Sequence, residues 1–333
     1  MMRSGIGGII LVIVWRVEPP SKTFELRRLP VRSKESAMIF EETFTLSNGV
    51  EIPKLGLGTW RIADEAVVPI VRDALGVGYR HIDTAQAYAN ERGVGEGLRA
   101  SGIVRDDVFL TTKLAAESKS YDDARQRIDG SLKALGVDHI DLMLIHSPQP
   151  WAEFREDTRF DEGNLEAWRA LEEAYAAGKL RAIGVSNFEQ ADLDNLIENG
   201  TVSPMVNQVL AHVGNTPFDL IDYSRSKGML VEAYSPVAHG AVLHDPQLTA
   251  LAAKYDVGIA QLCIRYCLQL GLLPLPKTTS VDHMRNNAAV DFEISDADME
   301  TLMGAAGDTD YGKASAFPVF GKKRQVVGAT NVN

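Results

Sequence analysis

From Phe44 onward, short apolar runs rich in β-branched residues alternate with longer stretches whose apolar positions recur every three or four residues. The first kind suits strands covered on both faces; the second suits helices with one buried side. Strands are expected over 53–57, 79–83, 108–113, 139–145, 181–185, 205–209, 229–234 and 272–276. Helical patterns cover 66–75, 122–135, 165–176, 192–197, 220–226 and 248–270. Gly76, Gly136, Gly178, Gly200, Gly228 and Gly271 stand where helices would end, because glycine accepts the left-handed cap that other residues resist. Eight strand-then-helix units imply an α/β fold with parallel winding. Over roughly 290 residues they fit a single-domain closed (β/α)8 TIM barrel better than an open doubly wound sheet, which stays the second reading. Neither Gly56-Leu57-Gly58 nor the run from Gly93 to Gly97 reads as G-x-G-x-x-G between a strand and a helix. Any nicotinamide cofactor would be held without a Rossmann loop.

Charge divides the 333 residues unevenly. Residues 1–37 carry seven Lys/Arg and three Asp/Glu, a local charge of +4, so 38–333 hold −15 against the whole chain's −11. The boundary is expected near Met38, with 1–37 an extension that is disordered or precedes the working start, and 38–333 the barrel domain. Within the extension, residues 5–15 are apolar and flanked by Arg3 and Arg16, like the hydrophobic part of a signal peptide. An export signal and a surface anchor are the alternatives there. The stretch falls short of the ~20 residues that span a bilayer, so no stable membrane insertion is expected. The acidic balance argues against a nucleic-acid partner. Cys263 and Cys267, four apart in an apolar helical pattern, offer no disulfide framework and suit a reducing compartment. A cytoplasmic monomer is the expectation.

A barrel gathers its chemistry at the C-terminal ends of its strands. Three consecutive candidate strands end in polar residues: His81-Ile82-Asp83 running on to Tyr88, Thr111-Thr112-Lys113, and Leu144-Ile145-His146. Asp83, Tyr88, Lys113 and His146 form a chemically coherent set. A phenol, with an ordinary pKa near 10, protonates a developing alkoxide if a nearby cation stabilises its conjugate base. Bringing it into range of neutral pH takes roughly 3 to 4 kcal/mol, which the Lys113 ammonium is placed to supply. Asp83 would keep Lys113 protonated and oriented, and His146 would hydrogen-bond a carbonyl. Singly, each has a structural explanation: a loop cap, a packed aromatic, a solvated lysine, a satisfied core histidine. Jointly they make an acid relay that unrelated structural needs seldom generate. A metal-dependent hydrolase built on His81, Asp83 and His146 is a competing reading, but Asn207-Gln208, Tyr234-Ser235 and Lys277 stand where further ligands belong, so no metal is expected. A nucleotide-binding barrel with a regulatory role is another.

The chain resembles the aldo-keto reductase family over residues 44–325. The matching segments are Gly56-Leu57-Gly58-Thr59-Trp60, Gly78-Tyr79-Arg80-His81-Ile82-Asp83-Thr84-Ala85 with Tyr88, Thr111-Thr112-Lys113, and Leu144-Ile145-His146-Ser147-Pro148. Gly184-Val185-Ser186-Asn187-Phe188, Asn207-Gln208, Ala233-Tyr234-Ser235-Pro236 and Leu275-Pro276-Lys277-Thr278 follow in order. The resemblance implies reduction of aldehydes and ketones with NADPH, NADH being the alternative, and a small-molecule carbonyl as partner. Tyr88 would be the general acid, tuned by Lys113 and Asp83, with His146 orienting the carbonyl. Ser186, Asn187 and Gln208 would meet the nicotinamide carboxamide, and Tyr234 would stack on the ring. Ser235 would lie by the pyrophosphate, Lys277 and Thr278 by the adenosine ribose or its phosphate, and Asn287 by adenine. Thr59, Trp60 and Asp83 would also border the cofactor.

Two departures matter. Where many NADPH-preferring relatives carry arginine, this chain has His283, which lacks the permanently charged fork suited to phosphate; Arg285 is a candidate substitute. Where some members place tryptophan after the active-site histidine, Ser147 stands, and the insertion 149–163 with Trp151, Phe154 and Phe160 is a candidate replacement wall. Residues 311–323, with Phe317, Pro318 and Phe320, are the tail that shapes substrate choice in relatives.

Overall fold

A computed structural model describes residues 39–305 and 310–321. The 1–37 extension and the last two residues of the 311–323 tail lie outside the described residues. A hairpin opens the described chain, with β1 (Thr43–Thr45) antiparallel to β2 (Glu51–Pro53). Eight parallel strands follow in sequential order: β3 (Leu57–Gly58), β4 (His81–Asp83), β5 (Phe109–Leu114), β6 (Ile140–Ile145), β7 (Leu180–Ser186), β8 (Val206–Leu210), β9 (Leu230–Tyr234) and β10 (Leu273–Leu275). Two backbone bonds draw the first and last staves together, Gly56 N–H to Pro274 O at 3.3 Å and Gly58 N–H to Pro276 O at 3.1 Å. The open-sheet alternative therefore falls, and the eight-stranded barrel stands.

The apolar run through Ile52 and Leu57 reads as one strand but is two. Lys54 turns the chain by donating its backbone N–H to Glu42 O and pairing its ammonium with the Glu42 carboxylate. The expected strand 53–57 thus straddles the hairpin and the first stave. The hairpin covers the N-terminal end of the barrel, since Asn48 reaches Arg181 O at the start of β7 and Phe40 packs on Tyr79 just before β4.

Around the staves lie α1 (Asp64–Val77), α2 (Glu91–Ser101), α3 (Tyr121–Leu135), α4 (Asp161–Ala176), α5 (Gln190–Asn199), α6 (Phe218–Ser226), α7 (Pro246–Lys254) and α8 (Ile259–Gln269). Next come α9 (Val281–Ala288) and α10 (Asp296–Met303). The long pattern expected over 248–270 divides into α7 and α8. Asp256 takes a left-handed φ of 55°, and the Gln261 side chain accepts from Gly258 N–H to start the second helix. Gly136, Gly178, Gly228 and Gly271 do take positive φ at helix ends, but Gly76 lies inside α1, and Gly200 has φ −85°.

The glycine run from Gly93 to Gly97 is helix, not a phosphate loop. A Cβ on Gly93 would lie 1.8 Å from Asp64 O, and one on Gly95 1.9 Å from Leu135 O. The glycines let α2 press against the start of α1 and the end of α3, a contact worth more than the ~1 kcal/mol that each helical glycine costs. Both cysteines sit in α8, fully buried, where burial pushes the Cys263 thiol up to about 12 and the Cys267 thiol higher still.

Gly95→Ala should lower stability in urea unfolding by about 2–3 kcal/mol, because backbone rather than a flexible side chain blocks the new methyl. Gly130→Ala, in α3 with nothing within 4 Å of its would-be Cβ, should instead raise stability by up to ~1 kcal/mol.

Candidate active site

The carboxyl ends of the staves open into a cavity of about 1160 Å³, running from Tyr88, His146 and Trp151 to His283 and Asn287. β4 and β5 place Asp83 and Lys113 on neighbouring staves, and Tyr88 follows on the turn Gln86–Tyr88. Lys113 is buried, and its Nζ donates to both Asp83 carboxylate oxygens, at 2.6 and 2.7 Å, and to Thr84 O at 3.0 Å. An ammonium has three hydrogens, so none remains for another acceptor. The ammonium lies 5.2 Å from the centre of the Tyr88 ring. The Tyr88 and His146 rings meet edge to face with centroids 5.7 Å apart. The four expected residues are thus brought together.

The phenol is not acidified as the sequence suggests. Burial first, and then the Asp83 carboxylate, hold the Tyr88 hydroxyl well above its ordinary value. Desolvation opposes a phenolate, and the negative charge of Asp83 opposes it further. The hydroxyl therefore keeps its proton at neutral pH. Burial and the Lys113 charge push His146 well below the ordinary imidazole value, so its ring is neutral, with Nδ1 unpartnered.

The neighbouring staves supply a hydrogen-bonded wall. Asn187 adopts a left-handed φ of 62°, which asparagine tolerates. Its amide donates to His146 O and Ser186 Oγ, both at 3.0 Å, and its carbonyl accepts from the Tyr234 hydroxyl at 2.7 Å. Gln208 Nε2 donates to Asp83 Oδ2. Ser186, Asn187, Gln208, Tyr234 and Ser235 all line the cavity, as do Lys277, Thr278, His283 and Asn287 at its far end. Thr59 does not. It is fully buried and spends its hydroxyl on Asp83 O, so it anchors β4 rather than bordering the channel. Arg285 is also absent from the lining and pairs with Asp282 on the exposed side of α9.

Trp151 stands over His146 with ring centroids 5.0 Å apart and lines the cavity, so the insertion provides an aromatic wall beside Ser147. Phe154 packs behind Trp151, whereas Phe160 stands at the entry to α4. Phe317 and Phe320 of the tail pack on Trp60 at 4.9 and 5.6 Å, and Arg155 of the insertion donates to Gly321 O. Several residues of the site escaped the sequence reading, His239 of the channel lining among them. Arg61 lines the channel with its guanidinium over Trp60 and Phe317, and its position just after Trp60 was the available signal. Glu232, a fully buried carboxyl, interrupts the apolar run of β9, and that interruption was the signal.

Barrel, channel and this polar cluster make a (β/α)8 protein with a candidate active site at the carboxyl ends of its strands, and comparison with known proteins gives the family. The Aldo/keto reductase family profile matches residues 54–306, and the chain belongs to that family. It is 39% identical over 264 residues to glyoxal reductase of Bacillus subtilis, covering 79% of this chain and 92% of that protein. It is 36% identical over 271 residues to morphine 6-dehydrogenase of Pseudomonas putida, covering 77% and 88%. Among solved structures, an aldo/keto reductase from Brucella melitensis superposes with TM-score 0.73 at 37% identity, covering 79% of this chain and 98% of that one. A Bombyx mori aldo-keto reductase in complex with NADP superposes with TM-score 0.74 at 31% identity, covering 84% and 98%. Carbonyl reduction with a nicotinamide cofactor is the chemistry of this family, and a regulatory barrel is not favoured.

His81 is held down to about 3 and His146 far below its usual value, both chiefly by burial, while their unfolded forms titrate near 6.5. Below pH 6.5 the unfolded chain takes up protons that the native one refuses, so stability should fall as pH drops. The slope is at most about 1.4 kcal/mol per pH unit for each histidine. Urea midpoints measured from pH 7 to 4.5 should show this decline, and His146→Gln should make it shallower.

Proposed function

We propose that this chain is an NADPH-preferring reductase of small aldehydes and ketones in which Tyr88 protonates the carbonyl oxygen. The observation that carries the reading is the grouping of a proton-bearing phenol, a buried ammonium–carboxylate pair and a neutral imidazole at one end of a channel large enough for a dinucleotide. The residues present fit such a cofactor. Arg61 and Lys277 line the channel, and among the described residues neither makes an ion pair; burial and the Arg61 charge hold Lys277 below its usual value. Two neighbouring cations without a counter-ion suit a phosphate-rich ligand. Lys277, Thr278, His283 and Asn287 would hold the adenosine half, Ser235 the pyrophosphate, and Ser186, Asn187, Gln208 and the Tyr234 ring the nicotinamide. Bound there, the cofactor supplies hydride to the carbonyl carbon.

The protein's own part is proton delivery, orientation and exclusion of water. The Tyr88 hydroxyl holds its proton until negative charge grows on the carbonyl oxygen, and the Lys113 charge then stabilises the forming phenolate. Lys113 acts through its field, because Asp83 and Thr84 occupy its hydrogens. The neutral His146 ring donates one hydrogen bond to the same oxygen and sets its direction. Trp60, Trp151 and Phe317 exclude water from the mouth. The resemblance to glyoxal reductase supports methylglyoxal and other 2-oxoaldehydes as substrates; simple aldehydes and diketo sugar acids are further candidates. NADPH preference rests on Lys277 and Arg61, with His283 the weak point.

Tyr88→Phe should reduce kcat on methylglyoxal by about 10²- to 10⁴-fold while leaving NADPH affinity within roughly twofold; wild-type turnover in that variant overturns the assignment. Lys113→Met should cost a similar amount, and Asp83→Asn less. His283→Arg should raise the NADPH over NADH preference about tenfold in kcat/KM, the worth of one added charge-assisted bond. An unchanged ratio would assign the phosphate to Lys277 and Arg61 alone.

A further inference from the structure

Beneath the nicotinamide end of the channel lies a carboxyl without a task in the reaction above. Glu232 is fully buried on β9 and sits beside Gln208 in the β8–β9 ladder. Branched apolar residues usually fill the interior of such barrels, and a carboxyl there is costly unless it is neutralised or bonded. Gln208 Nε2 spends both hydrogens on neighbouring carboxyls, one on Asp83 Oδ2 at 2.9 Å and one on Glu232 Oε2 at 2.7 Å. An amide has only two such hydrogens, so the group left to Gln208 for the channel it lines is its carbonyl oxygen.

The charge of this layer is equally constrained. Lys113 is already matched by Asp83, and Glu232 Oε1 has no partner. Burial, and then the Asp83 charge, push Glu232 up to about 8 against the opposing pull of Gln208 and Lys113. The carboxyl therefore holds a proton at neutral pH. Tyr88, Tyr234 and His146, the titratable groups nearer the channel, are uncharged there, because burial raises the phenols and lowers the imidazole.

We propose that Glu232 is a positioning residue for the nicotinamide: with Asp83 it clamps Gln208 so that its carbonyl oxygen faces the carboxamide, and its proton sets the net charge of the layer beneath the ring. The inference rests on the NADP(H) site proposed above. Oxidised and reduced cofactors share every phosphate and differ in the positive charge of the oxidised ring. Loss of the Glu232 proton turns a neutral layer into one of charge −1, which favours the oxidised form and leaves the reduced form nearly unaffected. Glu232 thus links the redox preference of the site to pH.

Fluorescence titrations of wild type, Glu232→Gln and Glu232→Leu with NADP+, NADPH and the 3-acetylpyridine analogue of NADP+ test both halves, between about pH 6.5 and 9.5. In wild type the affinity ratio should move toward NADP+ by roughly three- to tenfold as pH rises. In Glu232→Gln the ratio should be flat, while discrimination against the analogue, whose acetyl group has no N–H to donate, persists because the new amide oxygen still accepts from Gln208. In Glu232→Leu that discrimination should fall by about threefold or more. A Gln variant that keeps the wild-type pH dependence overturns the charge role, and a Leu variant that keeps full discrimination overturns the clamp. Should the Leu variant fail to fold, the isosteric Gln variant still decides the charge role, and loss of discrimination in it overturns the clamp. Wild-type protein that binds neither cofactor overturns the proposed site and this inference together; wild-type binding with unaltered variants overturns this inference alone.

Discussion

The ion pair between Lys113 and Asp83 governs the rest of the site. Both groups are buried inside the barrel, where an unmatched charge would cost several kcal/mol, and removing one partner of such a pair typically costs about 3–5 kcal/mol. The pair fixes Asp83, Asp83 fixes Gln208, and Thr84 O completes the coordination of the ammonium. Burial, and then the Asp83 carboxylate of this pair, raise the Tyr88 phenol rather than lower it.

Much of this was legible because barrel geometry and sequence order are tied together. Once eight strand–helix units were counted, Asp83, Lys113 and His146 had to share one rim, and Tyr88 lay within reach of it. The β/α alternation, the glycines at the ends of α3 and α6, and the lack of a dinucleotide fingerprint each pointed to the observed architecture. The insertion carrying Trp151 was marked by its aromatics and does meet His146.

What the sequence hid has physical causes. A hairpin and a short first stave look like one apolar run when the turn between them rests on a lysine and a backbone bond. A helix rich in glycine, such as α2, has little propensity of its own, and only its close approach to α1 and α3 explains it. A break between two amphipathic helices, as at Asp256, depends on one backbone angle that periodicity does not register. Thr59 looked like part of a cofactor motif, yet its hydroxyl serves the backbone of the next stave. Direction of charge effects was also hidden, since spacing shows that Lys113 is near Tyr88 but not that burial and the Asp83 carboxylate raise the phenol.

The two thiols of α8 have a bearing on durability. Small electrophilic carbonyls alkylate cysteine through the thiolate, and a protein that handles them meets that chemistry at every turnover. Cys263 and Cys267 are sealed within the second hydrophobic cluster and kept in the unreactive protonated form. The chain thus presents no ready thiolate to its own reactants, and adduct formation falls to its other nucleophiles, amines and guanidinium groups among them.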